Sequence, residues 1–569
     1  MKASGKRLGL CPLCNPGQGT VPAMPSPFLQ TRAPLLWLLL PLMAGISAAK
    51  AVSAPPSGLA LLLALALVSA GGALGAALKH RIRLCHTLLV LAAALAGFVL
   101  LSLRHPHLHD RTDRPPREIT LTLRVTELYR GDPAARSQGG LGRVVAAAFG
   151  EPELPGQLIY FSAIRRAGVP PRPAATVRIQ GVLEPLPSNP GAGFEDYLDN
   201  LGVHHRLVRA RILEETAAPG RLAAFYASAR ERLQRILGHG LDRHPGTASL
   251  YRAMLLGEKT ALSPEQENAF LRSGTFHVFS VSGLHVGVIA LTLRLFGKAV
   301  RLPGRIGAGL TLVVLWIYVQ VTGAGAPSIR AFVMVAFLLA SEVIRLPGNA
   351  LSALAASALA LLLVEPLQLF HTGFQMSYAV VAALILLGAP LAERWLEPWQ
   401  PFTLVPRPQW RWWHAAIAWS GRKLIASVAG CWAAFLASAA AGIGFFGVFS
   451  PGSLLANLVI LPLSSLAIVA GFLSLLTGLA GLMPWSALFN AAAALIIIAS
   501  EWLLVRGTTL PGVYFPAAFR TGWLTPASLA GMTALLLAGS AVRWRKRYGG
   551  FWPPVVFLAL LLLFGVEYG

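Results

Sequence analysis

The amino-acid sequence predicts a mainly α-helical, polytopic membrane protein with one inserted small all-β domain. Hydrophobic residues make up 55% of the 569 residues and charged residues only 13%, whereas soluble domains carry about 25% charged residues. The mean hydropathy is +0.60, and apolar runs near the length that crosses a bilayer recur along the chain. These observations argue against a soluble globular protein and favour about 11–13 transmembrane helices.

Thirteen apolar runs are candidate membrane spans, although several are short for a complete crossing. Three of them precede a long polar segment: Leu35–Ala49, Leu59–Leu78 and Leu84–Leu103. Ten follow it: Phe276–Phe296, Ile306–Thr322, Ser328–Ile344, Leu351–Val364, Phe374–Leu387, Leu424–Phe446, Leu454–Leu476, Ala487–Val505, Leu529–Val542 and Val555–Val566.

The spans and the polar segment divide the chain into six parts. These are a polar N-terminal tail (1–34), three transmembrane helices (35–103), a β domain (104–220), an amphipathic helix (221–245), the main transmembrane domain (246–505) and C-terminal transmembrane helices (506–569).

Lysine and arginine set the expected orientation, because basic short loops stay on the cytoplasmic side. The chain has 48 Lys and Arg against 24 Asp and Glu, a net charge of +24. Basic residues recur in alternate loops, beginning with Lys2, Lys6 and Arg7 and continuing at Lys79 to Arg83. We therefore expect a cytoplasmic N-terminus and an extracytoplasmic β domain.

The polar segment between Arg104 and Arg243 contains the β domain. Ile119, Leu121, Leu123 and Val125 alternate as in a half-buried strand, and similar runs recur four more times. Five short strands fit a small barrel of the OB type, although the periodicity alone does not exclude another small sandwich. About 20 arginines stand against 15 acids here and lysine is absent, which fits phosphate contact or simply an arginine-rich surface.

Two segments have the composition of a membrane-surface anchor, which makes lipids an expected partner. Apolar residues from Leu222 to Leu237 recur at helical spacing among arginines, and Trp410, Trp412, Trp413 and Trp419 lie among Arg and Lys. Interfacial anchoring accounts for both without a further ligand.

Polar residues inside apolar spans are the candidate functional residues, since a polar group in hydrocarbon needs a partner or a cavity. They form four clusters, which lie near the outer halves of their spans by the expected orientation. The clusters are His277, Ser280, Ser282, Gly283 and His285; Ser328 and Arg330; Gln375 and Ser377; and Asn457. Each cluster alone is compatible with helix packing. Together they predict a polar cavity or channel that opens toward the β domain.

The same clusters resemble the ComEC-type competence family. The similar segments are MLLGEKTALSPEQENAFLRSGTFHVFSVSGLHVGVIA, Ser328–Ala331, Phe374–Tyr378, Ala456–Asn457 and NPGAGFEDYLDNLGV at 189–203. The resemblance covers roughly Leu35 to Val505. It implies a bacterial inner-membrane channel that passes one strand of DNA into the cytoplasm during natural transformation.

This resemblance also implies the partners. It implies single-stranded DNA as the cargo, together with a DNA receptor and a cytoplasmic motor. The motor would be a separate protein, because Gly257-Glu-Lys-Thr lacks the features of a phosphate-binding loop that would bind a nucleotide. A separate nuclease and a homo-oligomer remain open.

The sequence departs from the family in one main respect. The chain stops soon after the last spans, whereas many members continue into a metallo-β-lactamase-like nuclease domain. The run HPHLHD at His105–Asp110 imitates a metal-binding motif of that domain, but no distal ligands are apparent. We therefore expect a channel that is not an enzyme and has no metal or other cofactor.

Two alternatives from other classes stay open. Ser282 and His285 are three residues apart and could act as nucleophile and base of an intramembrane serine hydrolase. A small-molecule or lipid transporter is the third reading, although we find no internal repeat that would favour it.

Overall fold

The computed structural model describes residues 33–106, 108, 115–129, 137–147, 153–164, 174–187, 193–218, 220–258, 263–279, 281–345 and 349–568. Up to the β domain the helices are α1 (Leu36–Ala51), α2 (Pro56–Leu78) and α3 (Ile82–Arg104). The β domain contains β1 (Arg117–Leu128), β2 (Ser137–Ala147), β3 (Leu158–Ile164), β4 (Thr176–Pro185), α4 (Phe194–Asn200) and β5 (His205–Ala217).

The remaining elements are almost all helical. They are α5 (Arg221–Gly238), α6 (Pro245–Leu256), α7 (Pro264–Arg272), α8 (Gly283–Ala299), α9 (Gly304–Val321), α10 (Ala326–Val343), α11 (Ala350–Val364), α12 (Thr372–Leu396), α13 (Trp412–Phe446), β6 (Val448–Phe449), α14 (Ser453–Leu479), α15 (Met483–Thr508), β7 (Phe515–Phe519), α16 (Leu524–Ala541), α17 (Pro553–Gly565) and β8 (Val566–Tyr568).

The prediction of a polytopic helical membrane protein is confirmed. Each of the thirteen apolar runs contains a helix. Within the described ranges, nine helices are long and apolar enough to cross a membrane, and three shorter apolar helices, α1, α11 and α17, accompany them. The thirteenth, α8, has 17 residues and carries Arg294 and Lys298 toward its end.

The predicted continuous span Phe276–Phe296 is wrong in one respect, because the structure divides it. Phe276–Phe279 form a 3-10 turn, and α8 begins only at Gly283, with Ser282 in extended conformation at its N-cap. Serine favours the N-cap over the helix interior because its oxygen can bond to the free N–H groups of the first turn. The break places Ser282 at a helix end rather than on a helix face.

The β domain is a closed barrel with strand order β1-β2-β3-β5-β4, which confirms the five predicted strands. Its core comes from alternate residues of each strand, among them Leu121, Phe161 and Ile179, all fully buried. Strand β2 begins earlier than the apolar pattern predicts. Its residue Gly140 admits the Glu127 carbonyl and the Phe161 ring at distances that a Cβ would block, so pairing continues through a glycine-rich stretch.

The barrel is held to the ends of α1, α11 and α12 through α4. Lys50 donates to Asn200 Oδ1, and the Tyr197 ring lies 6.0 Å from the ring of His371. A Cβ on Gly202 would lie 2.9 Å from Leu367, just after α11. These contacts place the barrel over one end of the helical domain, the end predicted to face outside.

The amphipathic segment forms the helix α5, which packs against α6, α9, α14 and α15. Ile236 and Leu237 at its end are buried. The Asn490 amide of α15 donates to the carbonyl oxygens of Ile236 and His239, at 2.8 and 3.0 Å, and so satisfies acceptors that a helix end leaves free. That this helix lies in the membrane surface remains a prediction.

Candidate functional site

The four predicted polar clusters come together on neighbouring helices. Helix α8 packs against both α10 and α14, and α10 packs against α12. Each cluster lies at the N-terminal end of its helix, or just before it. Because α8, α10, α12 and α14 all start at the end of the domain that carries the barrel, their polar residues share one level of the molecule.

Ser282 and His285 form a hydrogen-bonded pair at the start of α8. The Ser282 backbone N–H donates to His285 Nδ1 at 3.3 Å, and Ser282 Oγ lies 3.1 Å from the same nitrogen. Since Nδ1 accepts the backbone N–H, the proton of a neutral ring sits on Nε2. The His285 side chain is 0% exposed, and Nε2 has no hydrogen-bond partner among the residues described.

Arg330 is a buried cation in the first turns of α10. Its guanidinium donates from Nη2 to the Gly373 carbonyl of α12 at 2.7 Å, and the residue is only 4% exposed. Across the described part of the chain, no group bonds to Nε or Nη1. Ser328, two residues earlier, instead donates to the carbonyl of Gly325, the N-cap residue of the same helix, at 2.7 Å. Arg330 therefore has hydrogen-bonding capacity that the described residues leave unused.

His371, just outside the spans, lies within the electrostatic influence of Arg330, and Glu365 acts in turn on His371. Burial and the nearby Arg330 charge lower the pKa of the His371 imidazole to about 4, so this ring is neutral at neutral pH. Burial tends to raise the pKa of the Glu365 carboxyl, but the hydrogen bond and charge of His105 outweigh it and the net shift is downward. The His105 Nε2 to Glu365 Oε1 distance is 2.8 Å. Arg330 is therefore not neutralised by a directly bonded acid within the described residues.

The other predicted residues differ from one another in burial and in hydrogen bonding. Gln375 donates to the Leu369 carbonyl at 3.1 Å, and Ser377 is half-buried on α12. Asn457 lies on α14, and its buried Oδ1 accepts no hydrogen bond from any described residue. His277 is exposed in the 3-10 turn, and Gly283 opens α8. Ser280 lies outside the described residues.

Taken together, three adjacent helices carry buried side-chain polar atoms that no described residue pairs: on His285 of α8, Arg330 of α10 and Asn457 of α14. A buried polar atom that makes no hydrogen bond costs about 1–3 kcal/mol, and more when it is charged. These groups offer two kinds of donor and one acceptor to a polar ligand or to water. The arrangement can bind an anion at Arg330 and neutral polar groups beside it.

Several neighbouring residues were not predicted from the sequence. His371 and Gly373 contribute to the surroundings of Arg330, and Glu365 acts on His371, yet each looks like an ordinary loop residue in the sequence. A glycine directly before the Phe-Gln-Met-Ser-Tyr segment was the available signal for Gly373, because glycine permits close approach to a backbone carbonyl.

The imitation of a metal motif at His105–Asp110 can be followed only in part. His105 bonds to Glu365. Residues His107, His109 and Asp110 lie outside the described residues, and the residues that are described contain no group of three or more His, Cys, Asp or Glu arranged to hold a metal ion.

Comparisons with known proteins give consistent matches. A family model described as "Competence protein" matches residues 254–546. The chain is 34% identical over 144 residues to "ComE operon protein 3" of Bacillus subtilis (strain 168), which covers 25% of this chain and 18% of that protein. It is 36% identical over 149 residues to "Competence protein ComA" of Neisseria gonorrhoeae, covering 24% of this chain and 21% of that protein.

These alignments span about a fifth of the length of each curated relative. No solved structure matches the chain.

Proposed function

Because this chain belongs to the Competence protein family, we propose that it is an inner-membrane channel that passes single-stranded DNA into the cytoplasm during DNA uptake. The observation that supports this proposal most directly is the group of His285, Arg330 and Asn457, each of which has at least one buried polar atom that no described residue pairs. All three belong to the segment that the family model matches.

A polyanion that moves through a membrane needs binding that is favourable yet weak and distributed. Arg330 supplies one positive charge near the end that carries the barrel, where its free guanidinium edge suits a phosphate oxygen. His285, Gln375 and Asn457 supply neutral hydrogen-bonding groups, which hold a strand without trapping it. Buried ionisable residues in spans typically mark such pathways.

The orientation and the partners belong to the same proposal. The cytoplasmic N-terminus, the extracytoplasmic barrel, a DNA receptor and a cytoplasmic motor follow from the loop charges and from the family resemblance. The barrel would meet incoming DNA first, because it stands over the end of the helices where Arg330 lies.

Replacing Arg330 tests the proposal. We expect Arg330→Ala to lower uptake of labelled DNA into the cytoplasm at least about tenfold, since one phosphate contact in a water-poor site is lost. Arg330→Lys keeps the positive charge and should retain part of the uptake. Arg305→Ala, which removes an exposed arginine at the other end of the neighbouring helix α9, is the matched control. Uptake is counted separately in cytoplasm and periplasm, with the amount of folded protein in the membrane measured in parallel. Normal cytoplasmic uptake by a folded Arg330→Ala protein would contradict the channel assignment.

The contact between Ser282 Oγ and His285 Nδ1 also fits a hydrolase, but less well. The same Nδ1 accepts the Ser282 backbone N–H, as in a helix-capping interaction. A serine-reactive phosphonate that labels wild-type protein but not Ser282→Ala would favour hydrolysis over transport.

A further inference from the structure

The outer face of the barrel carries a line of arginines that the sequence alone does not reveal. Exposed arginines on four strands form this line: Arg143 on β2, Arg124 on β1, Arg178 on β4 and Arg211 on β5. We refer to these four residues as the arginine stripe. Their neighbours along each strand, such as Leu123 and Ile179, point into the core, so the arginines point outward.

Strand register places these arginines at regular intervals. Arg124 pairs directly with Arg143, which puts their Cβ atoms about 4.5–5.5 Å apart. Arg178 lies opposite Thr122, two residues along β1 from Arg124, and this diagonal relation corresponds to about 7–8 Å. Arg211 lies opposite Gln180, two residues beyond Arg178, and continues the same diagonal. The charges form a line across the barrel rather than a compact cluster.

The end of the stripe at Arg124 and Arg143 is short of negative charge. Among the described residues Arg124 and Arg143 form no ion pair, and Arg143 only donates from Nη1 to the Gly156 carbonyl at 2.9 Å. Acids occur toward the β5 side, where Glu214 lies 3.6 Å from Arg178 and Glu118 accepts from Gln180. Like charges directly opposite on a sheet repel each other. An anion between Arg124 and Arg143 would replace that repulsion with charge-assisted hydrogen bonds.

We propose that the arginine stripe binds the sugar–phosphate backbone of single-stranded DNA. This rests on the proposed function and names the surface that receives the strand. A line of separated guanidinium groups suits a flexible linear polyanion better than a single phosphate headgroup, because each guanidinium group can bind a different phosphate. Contacts of this kind carry no preference for base sequence.

The test uses the full chain in nanodiscs of zwitterionic lipid and a fluorescein-labelled 20-nucleotide oligothymidine. Affinity is measured by anisotropy over a series of salt concentrations. For single strands the slope of log affinity against log salt is about −0.7 per phosphate contact, so Arg124→Gln/Arg143→Gln should reduce its magnitude by about 1.4 and raise the Kd about tenfold at low salt. Arg124→Lys/Arg143→Lys should retain most of the slope because it keeps both charges.

Two controls separate binding from folding. Arg232→Gln/Arg235→Gln removes two exposed arginines from α5 and should leave the salt slope unchanged. The Arg124→Gln/Arg143→Gln protein should melt at the wild-type temperature or above it, because the substitution relieves repulsion between outward side chains.

An unchanged slope in a folded Arg124→Gln/Arg143→Gln protein would overturn the stripe, and so would a wild-type protein that does not bind the oligonucleotide. The stripe would also be overturned if Arg124→Gln/Arg143→Gln reduced the fraction of protein that sediments with anionic vesicles while its affinity for DNA stayed normal. That result would assign the stripe to lipid headgroups. The channel is judged separately, by uptake through Arg330→Ala.

Discussion

Asn490 on α15 and Asn457 on α14 are two amides on neighbouring helices, and their hydrogen bonding differs. Asn490 is 0% exposed, and its Oδ1 accepts from Ser474 at 2.6 Å and from Tyr251 at 3.2 Å. Its Nδ2 bonds to two carbonyls of the α5 end. Asn457 instead has an unused buried Oδ1 within the described structure. We interpret Asn490 as a stabilising residue and Asn457 as a residue of the transport path.

Alanine substitutions should separate these two roles. Asn490→Ala leaves two carbonyls and two hydroxyls without their partner, so we expect it to lower the free energy of unfolding by about 1–3 kcal/mol. Asn457→Ala should leave thermal stability in detergent close to wild type while lowering DNA uptake. A thermal melt followed by tryptophan fluorescence checks the first expectation and labelled-DNA uptake the second. Equal destabilisation by both substitutions would contradict the distinction.

At the scale of single residues, the sequence predicts which polar residues are unusual but not which hydrogen-bond partners each side chain has. Arg330, His285 and Asn457 stand out because they are polar within apolar runs. Asn490 stands in a similar run, yet its acceptors, Ile236 and His239, lie about 250 residues earlier in the chain. Only the folded arrangement distinguishes a saturated amide from an unsaturated one.

Among the elements, α1 and α3 show the closest helix contact that glycine makes possible. A Cβ on Gly45 would lie 1.8 Å from the Ala94 carbonyl oxygen, and one on Gly97 would lie 2.3 Å from the Leu42 carbonyl oxygen. The backbones of the two helices therefore touch at reciprocal positions, as small residues permit in membranes.

Valine at this contact should force the helices apart. We expect Gly97→Val to lower the free energy of unfolding by about 1–3 kcal/mol, the usual cost of overpacking. Gly71→Val on α2 is the matched control, because a Cβ there has no atom within 4 Å among the described residues. A melting temperature for Gly97→Val that equals the control would show that the α1–α3 contact does not determine stability.

Hydrophobic periodicity predicted the elements well because spans and half-buried strands have strong, different repeats. It failed where a local cap competed with an apolar run, as at Ser282, where the helix of the predicted span Phe276–Phe296 begins late, at Gly283. It also did not predict that α5 and α6 pack among α9, α14 and α15, since an amphipathic pattern is the same for a helix on lipid and for one on protein.

For the whole molecule, the structure brings together helix ends that the loop charges place on one side. The ends of α1, α3 and α11 and the start of α12 meet at Lys50, His105, Glu365 and His371, next to the barrel. This agrees with alternating spans, while the side of the membrane on which the barrel lies remains a prediction from positive charge.

Single cysteines should decide the orientation. In a variant without the native cysteines, Leu213→Cys on the barrel should react with a membrane-impermeant maleimide in intact cells. Leu404→Cys, at a site 95% exposed between α12 and α13, should react only after permeabilisation. The opposite labelling pattern would invert the proposed topology.

The short helix α11 also affects the thickness of the barrier that a solute meets. Its 15 residues span about 22 Å, less than the roughly 30 Å of a bilayer's hydrocarbon core. In the proposed orientation, with the inner end of α11 at headgroup level, Glu365 and His105 would lie below the outer headgroups, and water could follow them inward. A charged solute that enters beside Arg330 would then cross a locally thinned low-dielectric layer, so the electrostatic work of entry falls before any contact with the protein is made.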